Sequence, residues 1–198
     1  MTFFMTPFMA KAIVILGAIS WFAIRWPHQR RSWKTPVTKN QRSLREKLLL
    51  LANLTGLGFV PFIYVFSGFP RFADYPFQPA LAVIGAVVMA AALALFYRVH
   101  WELGRNWSDS LQLRASHTLV TGGLYRYVRH PMYAAFFLWG LAQLLLLPNW
   151  IAGPAGLLGF AILFFGRVGR EEKMMIEAFG TEYRDYMKRT ARLIPWVY

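Results

Sequence analysis

Cysteine is absent from the 198 residues, which excludes disulfides and thiolate metal sites. Acidic side chains are scarce, nine Asp and Glu against 22 Lys and Arg, and charged residues of both signs make up only 16% of the chain. With 57% hydrophobic residues and a mean hydropathy of +0.36, the chain has too little polar surface for an ordinary soluble domain. Dinucleotide, P-loop, zincin and serine-hydrolase signatures are all missing. The four histidines, His28, His100, His117 and His130, lack metal-ligand spacing, so no metal is expected.

What is present is a series of long apolar runs. Three of about 20 residues, near 7–26, 47–68 and 78–99, are each long enough to cross a hydrocarbon core of about 30 Å. Two shorter ones, near 132–147 and 150–167, are joined by Pro148 and Asn149 and imply a tight antiparallel hairpin. The expected fold class is therefore all-α: a polytopic integral membrane protein of about five spans. We read residues 1–198 as a single domain, with three N-terminal spans in 1–100 and the loop, hairpin and amphipathic tail in 101–198. The first run has almost no basic segment before it and no small-residue cleavage pattern, so it reads as a retained helix.

Local signals set the expected boundaries. Pro27 and Pro36 should end the first helix, and Ser43 with Glu46 forms a capping-box pattern ahead of Leu48. In the third run Ala82, Ala86, Ala90 and Ala94 recur every four residues, a small-residue stripe suited to helix packing; Ala155 and Gly159 repeat the theme in the fifth. After Arg167, Met175, Phe179, Tyr183 and Met187 share one side. Gly180-Thr181 supplies a stop and a restart, so two short amphipathic helices with a bend are expected.

The basic residues are not spread evenly. All but Lys11 and Arg71 lie in three segments: 25–47, 98–129 and 167–192. The positive-inside bias then puts those segments on the cytoplasmic side, with the N-terminus outside, as in a bacterial inner or other plasma membrane. The same placement accounts for the net charge of +13 without nucleic acid. The 25–47 loop, with Trp26 and Trp33, reads as an orientation and anionic-lipid device.

The most informative segment runs from His117 through Thr118, Leu119, Val120, Gly123, Tyr125, Arg129, His130, Pro131 and Met132 to Tyr133. Pro131 is suited to the first position of a helix, whose free N–H groups would then face an anion. A second polar cluster, Arg167, Arg170, Glu171 and Glu172, returns to the same face after the hairpin. As a bare i, i+4 pair, Arg167 and Glu171 would contribute only about 0.3–0.5 kcal/mol. At the end of an apolar span, however, Arg167 is a functional candidate, and the adjacent Glu171 and Glu172 invite a cation.

Taken together, HTLVTGGLYRYVRHPMY, RVGREE, FGTEYRDYMKRT and the terminal IPW resemble the isoprenylcysteine carboxyl methyltransferase family over about residues 100–196. The wider superfamily includes phospholipid N-methyltransferases. The resemblance implies S-adenosyl-L-methionine as cofactor, held outside any Rossmann fold by the loop and the C-terminal helices. It carries cofactor contacts onto His117, Thr118, Leu119, Val120, Tyr125, His130, Pro131, Met132, Tyr133 and Glu171, and acceptor binding and catalysis onto Arg167. It also implies a lipophilic or prenylated acceptor within the membrane. No nucleic acid or obligate protein partner is expected.

The residue chemistry is compatible with that role. Methyl transfer is an in-line displacement in which positioning supplies most of the catalysis. An acceptor carboxylate is already ionised and needs orientation, for which the Arg fork is suited, whereas an amine needs a base. O-methylation is favoured on this ground. Lipid-amine N-methylation is the enzymatic alternative and a catalytically silent membrane scaffold the non-enzymatic one.

Overall fold

The computed structural model describes residues 5–33, 37–40, 43–104, 112–114 and 118–195. His117, Pro36 and Trp196 of the preceding section lie outside the described residues. The chain is predominantly helical: α1 (Pro7–Trp33), α2 (Leu44–Leu54), a π turn (Thr55–Phe59), α3 (Val60–Ser67), α4 (Pro79–Leu103), α5 (Pro131–Leu146), α6 (Ala152–Phe179) and α7 (Thr181–Arg189). Among the described residues, one ladder pairs two short antiparallel strands, β1 (Val37–Asn40) and β2 (Gln112–Arg114).

Four helical stretches are long and apolar enough to cross a membrane: α1, the continuous Leu44–Ser67 rod, α4 and α6. The fourth apolar run forms α5, which at 16 residues is shorter than these four stretches. Phe22, Phe62, Phe66, Val87, Ile162 and Phe165 point outward from these rods, as expected where the solvent is lipid. The core lies between them, with Met89, Phe96, Trp139, Leu146, Phe160 and Phe164 buried.

Several boundaries differ from the sequence expectations. Pro27 does not end α1, which continues to Trp33 with the proline inside it. The four-residue alanine stripe is not the contact face of α4. Its buried residues are Ala82, Gly85, Met89, Ala92, Phe96, Val99 and His100, whereas Ala90 and Ala94 are exposed. At about 100° per residue a strict period of four drifts around the helix, and the alternating three-and-four spacing stays on one face. Ala155 and Gly159 do meet a neighbouring backbone. A Cβ at Gly56 would stand 2.2 Å from the Ala155 carbonyl oxygen, and one at Gly159 would stand 2.6 Å from that of Ala52.

Two buried amides lock the hairpin to this crossing. Gln143 donates from Nε2 to the carbonyls of Gly56 (3.2 Å) and Ala152 (2.7 Å), so the π turn and the start of α6 share one donor. Asn149 accepts the Ile151 and Ala152 N–H groups at Oδ1, capping α6, and donates to Pro70 O and Asp74 Oδ1. The connection spans Leu147 to Ile151, longer than the Pro148-Asn149 pair alone.

The largest departure concerns the tail. The fifth run does not stop at Arg167: α6 continues to Phe179, and only Gly180, with a left-handed φ of 58°, turns the chain into α7. The polar RVGREEK segment thus extends the same rigid rod that crosses the apolar layer.

Candidate active site

Three pieces meet near the polar end of α6: the loop before α5, the continuation of α6 beyond Arg167, and the chain following α7. Gly123 begins the loop's tight turn with φ 59°, and its missing Cβ leaves room for the Glu102 carboxylate, which accepts the Leu124 N–H at 2.8 Å. Tyr186 of α7 donates its hydroxyl to the Tyr125 carbonyl at 2.6 Å. Beyond α7 the backbone runs beside the loop. The Arg129 N–H donates to Ala191 O (2.8 Å), the His130 N–H to Arg192 O (3.1 Å) and the Ala191 N–H to Tyr127 O (3.1 Å). Burial holds the phenols of Tyr125 and Tyr183 well above their ordinary range and pushes that of Tyr186 up to about 12, so all three stay protonated donors at neutral pH.

Glu171 and Glu172 pair with different arginines, because successive helical positions point about 100° apart, and His130 lies within reach of both. Glu172, 6% exposed, accepts Arg129 Nε at 3.1 Å and Arg192 Nε and Nη2 at 3.1 and 2.7 Å, with His130 Nε2 at 3.4 Å. Arg129 also donates to the carbonyls of Met187 and Thr190. Glu171, 27% exposed, accepts the Tyr133 hydroxyl, lies 3.7 Å from His130 Nδ1 and pairs with Arg167 Nε at 3.5 Å. The rings of His130 and Tyr133 stack with centroids 5.3 Å apart, which places the imidazole between the two carboxylates.

Of the residues singled out from sequence, His130, Tyr133, Arg167 and Glu171 are therefore in one contact network. Pro131 is buried at the first position of α5, with Met132 partly buried beside it, and Tyr125 is buried in the loop turn. Thr118 is exposed, and Leu119 and Val120 are partly buried, where the chain approaches the loop. The helix start is a narrower anion seat than its sequence implied, because the N–H groups of Tyr133 and Ala134 already turn back onto the His130 carbonyl.

Sequence reasoning missed Glu46. It belongs to the capping pattern only in part: Ser43 Oγ accepts the Glu46 N–H at 3.3 Å, but the Glu46 carboxylate lies 3.2 Å from Arg167 Nη1 instead of folding back. Arg192 was likewise indistinguishable from the other basic residues of its segment, and Arg129, though within the informative loop, had no partner assigned to it.

The charges divide into two halves. The buried Glu46 pairs with Arg167, which leaves Glu171 as the partly open carboxylate of one half; Arg129 and Arg192 flank Glu172 in the other and leave one positive charge in excess. Such an arrangement suits a zwitterion with an additional cationic centre. No group of three or more His, Asp or Glu able to hold a metal occurs among the described residues.

Residues 81–177 match the model of the isoprenylcysteine carboxyl methyltransferase family. A protein-S-isoprenylcysteine O-methyltransferase from Dictyostelium discoideum is 30% identical over 141 residues, covering 68% of this chain and 55% of that protein. The Homo sapiens enzyme of the same name is 33% identical over 119 residues, 59% of this chain and 42% of that one. The chain thus spans about half the length of the curated relatives it matches. The solved structure of a eukaryotic intramembrane Ras methyltransferase, isoprenylcysteine carboxyl methyltransferase, superposes with a TM-score of 0.56 at 25% identity, covering 81% of this chain and 55% of that one.

Proposed function

We propose that this chain, which belongs to the isoprenylcysteine carboxyl methyltransferase family, transfers a methyl group from S-adenosylmethionine to the carboxylate of a lipophilic, prenylated acceptor that enters from the bilayer. The observation that carries this reading is the row Tyr133, Glu171, Arg167, which joins a partly open carboxylate to a guanidinium at the end of a lipid-spanning rod.

S-adenosylmethionine, when bound, supplies an electrophilic methyl on a sulfonium. Its charges fit the two halves of the site, cationic groups toward Glu171 and the carboxylate toward the Arg129 and Arg192 side. By resemblance Thr118, Leu119, Val120, Tyr125, Pro131 and Met132, together with His117, complete the pocket. Tyr133 holds the Glu171 carboxylate in place through its hydroxyl, and the stacked His130 ring fixes Tyr133 in turn. Arg167 orients the acceptor carboxylate, whose oxygen is already a nucleophile and needs no base. Catalysis is then mainly alignment, as expected for an in-line displacement. The distribution of basic residues supports a cytoplasmic position for this site, and we read residues 1–198 as one methyltransferase domain.

The test is label transfer. Protein reconstituted in vesicles, given methyl-labelled S-adenosylmethionine and an N-acylated S-prenylcysteine, is expected to form a base-labile methyl ester. A base-stable methylated lipid amine in place of the ester would overturn the carboxylate reading.

A further inference from the structure

Glu46 has no role in the reaction as described, yet its position is costly. It is 1% exposed, near the start of a rod that crosses the apolar layer, and neither of its oxygens accepts a hydrogen bond among the described residues. A buried ionised carboxylate needs a compensating cation, and here that cation is Arg167, at 3.2 Å.

The surroundings bring α2 close to this turn of α6. Arg45 donates from Nη2 to the Gly166 carbonyl at 3.2 Å, and a Cβ at Gly166 would stand 2.6 Å from the Leu49 side chain. The start of α2 is thus anchored to the turn that carries Arg167. Glu171 engages Nε of the guanidinium while Glu46 engages Nη1, so the planar group is restrained from two directions.

We propose that Glu46 is a positioning residue for methyl transfer, holding the Arg167 guanidinium in the orientation that receives the acceptor carboxylate. The proposal rests on the carboxylate reading above and adds a residue from outside the family-matched stretch, 81–177. It carries a specific signature. Glu46 also partly neutralises Arg167, so removing its charge should impair alignment without weakening the acceptor's attraction to the guanidinium.

The experiment compares Glu46→Gln and the apolar Glu46→Met in the wild-type and Arg167→Ala backgrounds. Readouts are turnover of an N-acylated S-prenylcysteine, titration of the demethylated cofactor, and the Arg167 side-chain 15N signals. Expected results are a kcat at least tenfold lower, an acceptor KM unchanged or lower, and cofactor-product affinity within twofold. In the Arg167→Ala background the same changes should alter residual turnover less than twofold. Equal losses in both backgrounds, or full turnover, would overturn the proposal. So would failure of both variants to bind the cofactor product, since Glu46 would then be needed for the fold. The 15N signals separate this proposal from the functional reading: a restrained guanidinium that becomes mobile in Glu46→Gln supports positioning even if the wild type esterifies no carboxylate, and an unchanged signal refutes it.

Discussion

Replacing Glu172 by Gln should loosen the C-terminal chain without removing any ligand contact assigned to Glu171. Glu172 accepts three hydrogen bonds from Arg129 and Arg192, and those arginines belong to the two backbone segments paired through Arg129, His130 and Ala191. Removing one partner of a buried ion pair typically costs about 3–5 kcal/mol, because the other charge remains desolvated. Gln retains one acceptor oxygen, and Arg192 is 28% exposed and can turn toward water, so the lower end, about 3 kcal/mol, applies here. At 1.4 kcal/mol per factor of ten, local opening should become on the order of 100-fold more frequent. Native-state hydrogen exchange reads this at the amides of Arg129, His130 and Ala191, each bonded across the junction. Their exchange should accelerate by about that factor in Glu172→Gln and remain near wild type in Glu171→Gln. Unchanged protection at all three amides would refute the assignment of Glu172 as the anchor of the tail.

Other outcomes follow from the same geometry. Tyr133→Phe removes a hydrogen bond to a carboxylate that is partly open to water, so cofactor-product affinity should fall about tenfold by calorimetry, from a loss of about 1.5 kcal/mol; full affinity would dissociate the Tyr133–Glu171 contact from binding. Gly123→Ala forces a side chain onto a left-handed φ and within 2.5 Å of the Glu102 carboxylate, so thermal unfolding in detergent should show a loss of about 1–2 kcal/mol or more. Phe72→Cys should label with an impermeant thiol reagent in intact cells and Arg126→Cys should not, and the reverse pattern would invert the topology.

The spans and the site segment were legible in the sequence because lipid solvation and helix punctuation are local effects. The apolar runs, the α5 start at Pro131 and the Gly180 break all appear where local chemistry puts them. Extending α6 past Arg167 was not legible, because the change from apolar to charged composition marks where the solvent changes, and nothing in RVGREEK ends a helix. The alanine stripe misled because a period of four mimics packing over one or two turns and drifts beyond that. At the site, Arg167 and Glu171 are neighbours on one helix and could be read directly, whereas Glu46 lies 121 residues before Arg167 and had a sufficient local explanation as a cap. Arg129 and Arg192 lie on either side of Glu172 in the chain and converge on it only in three dimensions.

The most direct measurement is the Arg167→Lys variant in reconstituted vesicles, scored for ester formation and for cofactor-product affinity on the same sample. Lysine keeps the charge but loses the planar fork that orients a carboxylate. The expected result is at most one-tenth of wild-type ester formation with cofactor-product affinity within twofold; wild-type ester formation by Arg167→Lys, or a loss explained entirely by collapsed cofactor affinity, would contradict the placement of the acceptor carboxylate at Arg167.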